Sequence, residues 1–503
     1  MEPSALVTAS SRTFHHAMSN RKFIMKMHAL LLGVLTLAGC AVGPDYKRPD
    51  VVVPAAYKEA GDWKPAEPKD ESPRGNWWQV YGDANLDALV AQVAISNQNV
   101  AAAAAQYRQA SALLGAAQAG YYPTLGAGLS GTRAQGVSSA TTGTSTTAAG
   151  SPIVNTARLS LNASWEADLW GRIGRNVEAN SASAQASDAD LRAALLSAQA
   201  TLVQTYFQLR TNDAQQRLLE QTIAAYQRSR QITANRYEAG VAGRVDVAQA
   251  EAQLKSTQAQ AIDLGVLRAQ YEHAIAVLIG KAPAEFQIAP VDAMPALPVV
   301  PPALPSVLLE RRPDIAGAER RMASANAQIG VAQAAFFPAL TLGATGGYQN
   351  SSLSNLLTLP NRFWSIGPAL ALTLFDGGAR SAQKEGAIAG YDKAEATYRQ
   401  TVLAAFQEVE DNLAALRLLA NEAVMQQAAT QAADEALALT ENQYQAGTVS
   451  YLNVVTAQAT ALGAQRSNLD LVGRRLGASA VLLKALGGDW QVGSVVPSNG
   501  TSD

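Results

Sequence analysis

The sequence predicts a membrane α+β chain made of two copies of one unit, each pairing short strands with helices, one of them very long. Three observations point there. The tracts 171–282 and 369–495 contain no proline and are rich in Ala, Leu, Gln, Glu and Arg, all good helix formers. Four short segments alternate apolar and polar residues over about the 9–11 residues that a tilted membrane strand needs. Motifs in the first half recur in the second at a nearly fixed offset, the mark of an internal repeat.

Composition narrows the class. The 503 residues carry a formal net charge of −2, so no broad basic face for nucleic acid is expected. Hydrophobic residues make up 48%, too many for a disordered chain. The single cysteine excludes a disulfide framework and any multi-cysteine metal site. Of four histidines, His15, His16 and His28 lie near the N-terminus and only His273 beyond it, which argues against histidine-based metal catalysis.

The N-terminus reads as an export address over 1–39. Arg21, Lys22 and Lys26 precede the apolar run 29–39, a positive region followed by a hydrophobic core. The run is shorter than the roughly 20 residues of a membrane span. It ends in Leu37-Ala38-Gly39-Cys40, similar to a bacterial lipobox, whose cysteine becomes the lipidated N-terminus. An acyl chain contributes about 0.8 kcal/mol per buried methylene toward holding a chain to a bilayer. Ala41, rather than an aspartate, favours the outer membrane. The first 17 residues are unlike a signal start, so Met18 or Met25 is the expected initiator. Residues 40–85 read as a lipidated tether and 488–503 as a tail.

The first repeat spans 86–280 and the second 306–487. Tyr237-Glu238-Ala239-Gly240-Val241 recurs as Tyr444-Gln445-Ala446-Gly447-Thr448, and Leu278-Ile279-Gly280 as Ala485-Leu486-Gly487. Tyr121-Tyr122-Pro123 answers to Phe336-Phe337-Pro338, and Leu169-Trp170 to Leu374-Phe375. Between the repeats, 281–305 is proline-rich, and proline breaks helices, so it reads as a linker.

In the long helices, Leu191, Leu195, Ala198, Leu202, Thr205 and Leu209 alternate spacings of four and three, as do Val402, Phe406, Val409, Leu413, Leu416 and Ala420. That is a coiled-coil seam. The stretch 171–237 would give about 100 Å of helix at 1.5 Å per residue. Glycine readily takes the left-handed conformation that ends a helix, so Gly240 and Gly447 mark tip turns at about 239–244 and 446–450.

The strands are expected at 123–134, 153–166, 339–350 and 364–375. Leu159, Leu161, Ala163 and Trp165 alternate with Arg158, Ser160, Asn162 and Ser164. Trp364, Ile366, Leu370, Leu372 and Leu374 alternate with Ser365, Gly367, Ala369, Ala371 and Thr373. The loops at 133–152 and 349–361 are polar and suit a solvent-exposed mouth. Membrane barrels have eight strands or more, and an open edge in lipid leaves backbone groups unsatisfied. Several copies must therefore share one barrel: two, three or four would give 8, 12 or 16 strands.

Five motifs then carry a resemblance. They are Cys40-Ala41-Val42-Gly43-Pro44-Asp45-Tyr46; Trp77-Trp78 with Leu86-Asp87-Ala88-Leu89-Val90; Trp165-Glu166-Ala167-Asp168-Leu169-Trp170-Gly171-Arg172; Glu310-Arg311-Arg312-Pro313-Asp314-Ile315; and Leu374-Phe375-Asp376-Gly377-Gly378. The chain resembles the TolC-like outer membrane factor family, in its efflux-lipoprotein branch (the NodT and OprM type). The resemblance implies a homotrimer with a 12-stranded transmembrane β-barrel, four strands per chain, continuous with a long periplasmic α-helical barrel. It implies an exit duct for small molecules such as drugs, working with a periplasmic adaptor and an inner-membrane pump of the resistance-nodulation-division class. It implies no cofactor beyond the lipid on Cys40. At the tips, Tyr237, Gly240, Asp246, Tyr444, Gly447, Asn453 and Thr456 would form the periplasmic gate. The family's acidic ring past the second turn is replaced here by Asn453 and Thr456. Asp246 would bond across the tip to Tyr444 and help hold the tube closed.

Enzyme readings fail on context. Gly126-Ala127-Gly128-Leu129-Ser130-Gly131 matches a nucleotide-loop pattern, but a Ser/Thr/Gly loop rather than a helix follows it. Glu408, Glu410 and Asp411 read as a solvated helix face. Two other functions fit parts of the pattern: a lipid-anchored periplasmic coiled-coil scaffold or adaptor, and an exit duct for polypeptides.

Overall fold

The computed structural model describes residues 41–48, 56–57, 60–62, 76–135, 153–291, 294–298 and 312–488. The export segment, Met18, Met25, Cys40, Glu310, Arg311, most of the first polar loop and the tail beyond Gly488 lie outside the described residues. The elements in chain order are a small ribbon, β1 (Ala56–Tyr57) and β2 (Ala60–Asp62), then α1 (Ala84–Ser96), α2 (Gln98–Gln118), β3 (Thr124–Gln135), β4 (Ile153–Ala167), α3 (Arg172–Glu238), α4 (Arg244–Leu278), α5 (Pro313–Ala334), β5 (Ala339–Asn350), β6 (Arg362–Ala371), α6 (Ala379–Gln445) and α7 (Tyr451–Ala485). Among the described residues no helix is long and apolar enough to cross a membrane.

The repeat is carried down to helix length. Both α3 and α6 have 67 residues, and both α4 and α7 have 35. Each of these boundaries recurs 207 residues later in the chain. At 1.5 Å per residue the 67-residue helices are about 100 Å long.

The chain forms two compact units. One gathers the described residues within 1–48, 110–184 and 321–394. Its centre is an antiparallel sheet in the order β3-β4-β5-β6. Cross-strand register sets Leu129 opposite Leu159, Leu161 opposite Gly346, Trp165 opposite Leu342, and Gly346 opposite Trp364. Because side chains alternate between faces, this register gathers Leu125, Leu129, Leu161, Trp165, Trp364, Ile366 and Leu370 on one side, all exposed. Ser130, Ser160, Asn162, Thr345 and Ser365 take the other, where Thr345 Oγ1 donates to Asn162 Oδ1 at 3.1 Å.

β6 departs from expectation. It runs Arg362–Ala371 rather than 364–375. The alternation of Leu372 and Leu374 continues in the sequence, but the partner β5 begins at Ala339, opposite Ala371. Pro338, just before it, has no amide hydrogen to extend the ladder. Without a partner the chain leaves the sheet.

The other unit gathers the described residues within 49–109, 185–320 and 395–503. Its core packs Leu202, Val203, Tyr206, Phe207 and Leu209 of α3 against Ile275 of α4, Leu476 and Leu483 of α7, and Leu86, Val90 and Val93 of α1. Trp77, Trp78 and Tyr81 are buried in the same core. The expected tether at 40–85 is therefore corrected over its last ten residues: the bulk of two indoles and a phenol is worth burying, and this segment belongs to the helical core. Tyr81 Oη and Ser479 Oγ lie 2.8 Å apart, and Asp83 caps α1 by accepting from the amides of Asn85 and Leu86. The start of the proline-rich connector is packed down too. Arg210 donates to the Ala289 carbonyl at 2.9 Å and Arg268 to that of Ile288 at 2.7 Å.

Candidate functional site: membrane sheet, joints and hairpin tips

Three places stand out in the geometry. The first is the sheet. It has an apolar face, a polar face and two edges, β3 and β6, that have no partner strand among the described residues. Four strands with free edges are stable in lipid only if the edges pair with other strands.

The second is the joint where a strand hands over to a long helix. Glu166 and Arg172 form a two-pronged ion pair, 3.0 and 2.7 Å. Asp168 accepts from the amides of Ile173 and Gly174 at 2.9 and 2.7 Å, satisfying orphan donors at the start of α3. Gly171 has a φ of +75°, which a side chain would strain. Trp170 donates to the Pro338 carbonyl at 2.8 Å and stacks on Phe337 with ring centroids 4.7 Å apart. In the second repeat Asp376 does the same work. It accepts from the Gly378 and Arg380 amides and pairs with the Arg380 guanidinium at 2.6 Å. Arg380, foremost among its neighbours, holds the Asp376 carboxyl below its ordinary value. Gly126 to Gly131, the nucleotide-like pattern, lie within β3.

The third is the pair of hairpin tips. Gly240 and Gly447 have φ of +75° and +78° and end α3 and α6. Tyr237 is exposed, while Tyr444 is buried against Tyr451, their rings 5.2 Å apart edge to face. Tyr451 Oη lies 3.2 Å from Ser229 Oγ, and burial raises the Tyr451 phenol above its ordinary value.

Asp246 and Tyr444 make no hydrogen bond to each other. The Tyr444 hydroxyl donates to Thr233 Oγ1 at 3.4 Å. Asp246 turns back on its own helix and accepts from the Gly243 amide at 3.2 Å, because the first turn of α4 has orphan donors close at hand. A further bridge between the two hairpins, at their ends, comes from Arg236. Its Nη1 donates to the carbonyls of Tyr444 and Gln445, at 3.1 and 3.0 Å, and its guanidinium lies 4.8 Å over the Tyr444 ring. These carbonyls lie at the negative end of α6, a natural seat for a cation, and that of Tyr444 also accepts from the Gly447 amide at 3.0 Å. Asn453 and Thr456 are exposed on the first turns of α7. Thr456 donates to its own helix at the Leu452 carbonyl. Asn453 stands 207 residues after Asp246, so the two are repeat equivalents.

The model of a known family, described as outer membrane efflux protein, matches residues 89–281 and 304–488. The chain belongs to the outer membrane efflux protein family. It is 32% identical to the pyoverdine export outer membrane protein OpmQ of Pseudomonas aeruginosa over 475 residues, covering 93% of this chain and 98% of that one. It is 30% identical to TtgC of Pseudomonas putida, named as a probable efflux pump outer membrane protein, over 92% of this chain and 95% of that one. The solved structure of the outer-membrane channel OprN superposes with a TM-score of 0.79 at 30% identity, over 90% of this chain and all of that one. As a member of this family of transport channels, the chain is an outer-membrane exit duct of an efflux system. Its fold is the trimeric 12-stranded barrel class with long helical hairpins, four strands from each chain. Its strands lie in the outer membrane and the chain extends into the periplasm. The scaffold reading falls with this, since its helices alone leave the membrane sheet without a role.

Proposed function

We propose that the chain is a homotrimeric exit duct for small molecules, coupled through a periplasmic adaptor to an inner-membrane pump of the resistance-nodulation-division class. The observation that carries this is the sheet: four strands, one apolar face, one polar face and two free edges. The chain acts as a conduit, without chemistry of its own.

Cys40 carries a lipid in this reading. The residues just after it support the assignment by their tight seat. Val42 donates to the Trp170 carbonyl at 3.1 Å, Asn326 to that of Pro44 at 3.0 Å, and Arg175 pairs with Asp45 at 2.9 Å. A side chain on Gly43 would put its Cβ 2.5 Å from Gly330 Cα. A chain start held at the strand-to-helix joint is well placed to dip an acyl anchor into the same bilayer as the strands.

The gate comprises Tyr237, Gly240, Asp246, Tyr444, Gly447, Asn453 and Thr456 at the hairpin tips, with Arg236 as the cross-tip tie. Polypeptide export is the competing cargo. Deletion of the gene should sharpen sensitivity to antibiotics and dyes, with recovery on complementation. Unchanged sensitivity to every small molecule, with loss of a secreted polypeptide, would reverse the assignment.

A further inference from the structure

The apolar face of the membrane sheet has a groove in it. Leu161, Gly346 and Trp364 form one cross-strand row, and Leu159, Tyr348 and Arg362 the next. The missing side chain at Gly346 leaves a trough of about 540 Å³ between them. Leucines and an indole wall it, and Arg362, the first residue of β6, stands at the end nearest the polar loop. Among the described residues no carboxylate lines it. The Arg362 side chain is exposed and has no ion-pair or hydrogen-bond partner among the described residues.

An unpaired arginine on a lipid-facing surface is costly near the bilayer midplane and nearly free at the headgroups. Its position at the start of the strand sets it at headgroup depth. An apolar trough with a lone cation at its headgroup end matches one kind of occupant: a lipid whose chain fills the trough and whose phosphate meets the guanidinium. The trough lies at the loop end of the strands, away from the ends that lead into the helices, so the lipid comes from the outward leaflet.

We propose that this groove binds one phosphorylated, acylated lipid of the outward leaflet per chain. An acyl chain lies along Leu161, Gly346 and Trp364, and the phosphate sits on Arg362. This goes beyond the duct function and rests only on the apolar face meeting lipid.

Two glycines separate site from scaffold. A Cβ on Gly347 would sit 2.0 Å from the Leu159 carbonyl oxygen, so that glycine is required by the backbone. A Cβ on Gly346 would lie 3.8 Å or more from its neighbours, in ordinary contact. Gly346→Leu therefore fills the trough without disturbing the ladder.

The test is native mass spectrometry of the detergent-extracted assembly, titrated with bis-phosphorylated lipid A, phosphatidylglycerol or phosphate-free diacylglycerol. The wild type should prefer lipid A over diacylglycerol by about tenfold or more, the factor expected for one charged hydrogen-bonded contact. Arg362→Gln and Gly346→Leu should lose that preference, and Arg362→Lys should keep part of it. Arg133→Gln, on the same face but outside the trough, should bind like wild type. Equal binding of lipid A and phosphatidylglycerol would assign the site to phospholipid phosphate in general and overturn the outward-leaflet assignment. Wild-type binding by Arg362→Gln, or an equal loss in Arg133→Gln, would overturn the site. The mass of the lipid-free assembly, read in the same spectra, reports on the duct separately.

Discussion

Arg236 ties the ends of the two hairpins together, beside the Tyr444–Thr233 and Tyr451–Ser229 contacts. It seats a cation on two carbonyls at the end of α6 and covers the Tyr444 ring. Arg236→Ala should release the tips, so single-channel recordings in planar bilayers should show higher conductance than wild type, with Arg236→Lys in between. Asp246→Ala should leave conductance near the wild-type value. It removes a helix-capping acceptor instead, and should cost about 1 kcal/mol of stability in denaturant unfolding. A rise in conductance with Asp246→Ala alone would restore the cross-tip role expected from the family resemblance. Sequence reading missed Arg236 because its repeat equivalent is Gln443. The pairing of an arginine with helix-end carbonyls leaves no motif, since a carbonyl is the same in every residue. The glycines were legible, because a left-handed helix end leaves few other choices.

At the scale of elements, the long helices were the most legible part, since proline-free heptads leave little alternative. The end of β6 was less so, because strand length depends on the partner as well as on alternation. Of the three acids on α6 expected on a solvated face, Asp411 is exposed but Glu408 departs from expectation for a similar reason. Glu408 is not a solvated residue: it takes Arg312 at 2.7 Å and Lys484 at 2.9 Å, linking the start of α5 and the end of α7 to α6. Arg312 is itself buried and also reaches the Ala485 carbonyl at 3.1 Å. Burial pushes the Glu408 carboxyl up, but Lys484 and Arg312 more than offset this and leave it below its ordinary value. A depressed carboxyl stabilises the fold above its ordinary value, and the contribution is lost as pH falls through the depressed one. Unfolding free energy should therefore decline as the medium is acidified below about pH 5, and Glu408→Gln should flatten that decline. Removing the charge on Arg312 by substitution with Ala should cost about 2 kcal/mol near neutral pH, because it takes away one of the two cations that hold a half-buried carboxylate. A pH profile for Glu408→Gln that overlays wild type would show the pairing to be idle.

At the scale of the whole molecule, the sheet explains why one chain is not enough. Its order makes β3 and β6 antiparallel, so the β3 edge of one copy can continue the ladder from the β6 edge of the next. The number of copies was open from strand counting and closed only by the family. Substituting Gly347 by Ala would drive a methyl into the Leu159 backbone, and should abolish heat-stable oligomers on gels while leaving far-UV helix signal largely intact. The most direct measurement on the central claim is the native mass of the channel extracted from the outer membrane. Three chains, and so twelve strands in one closed wall, are predicted. A stable single chain, or an assembly of two or four, would contradict it.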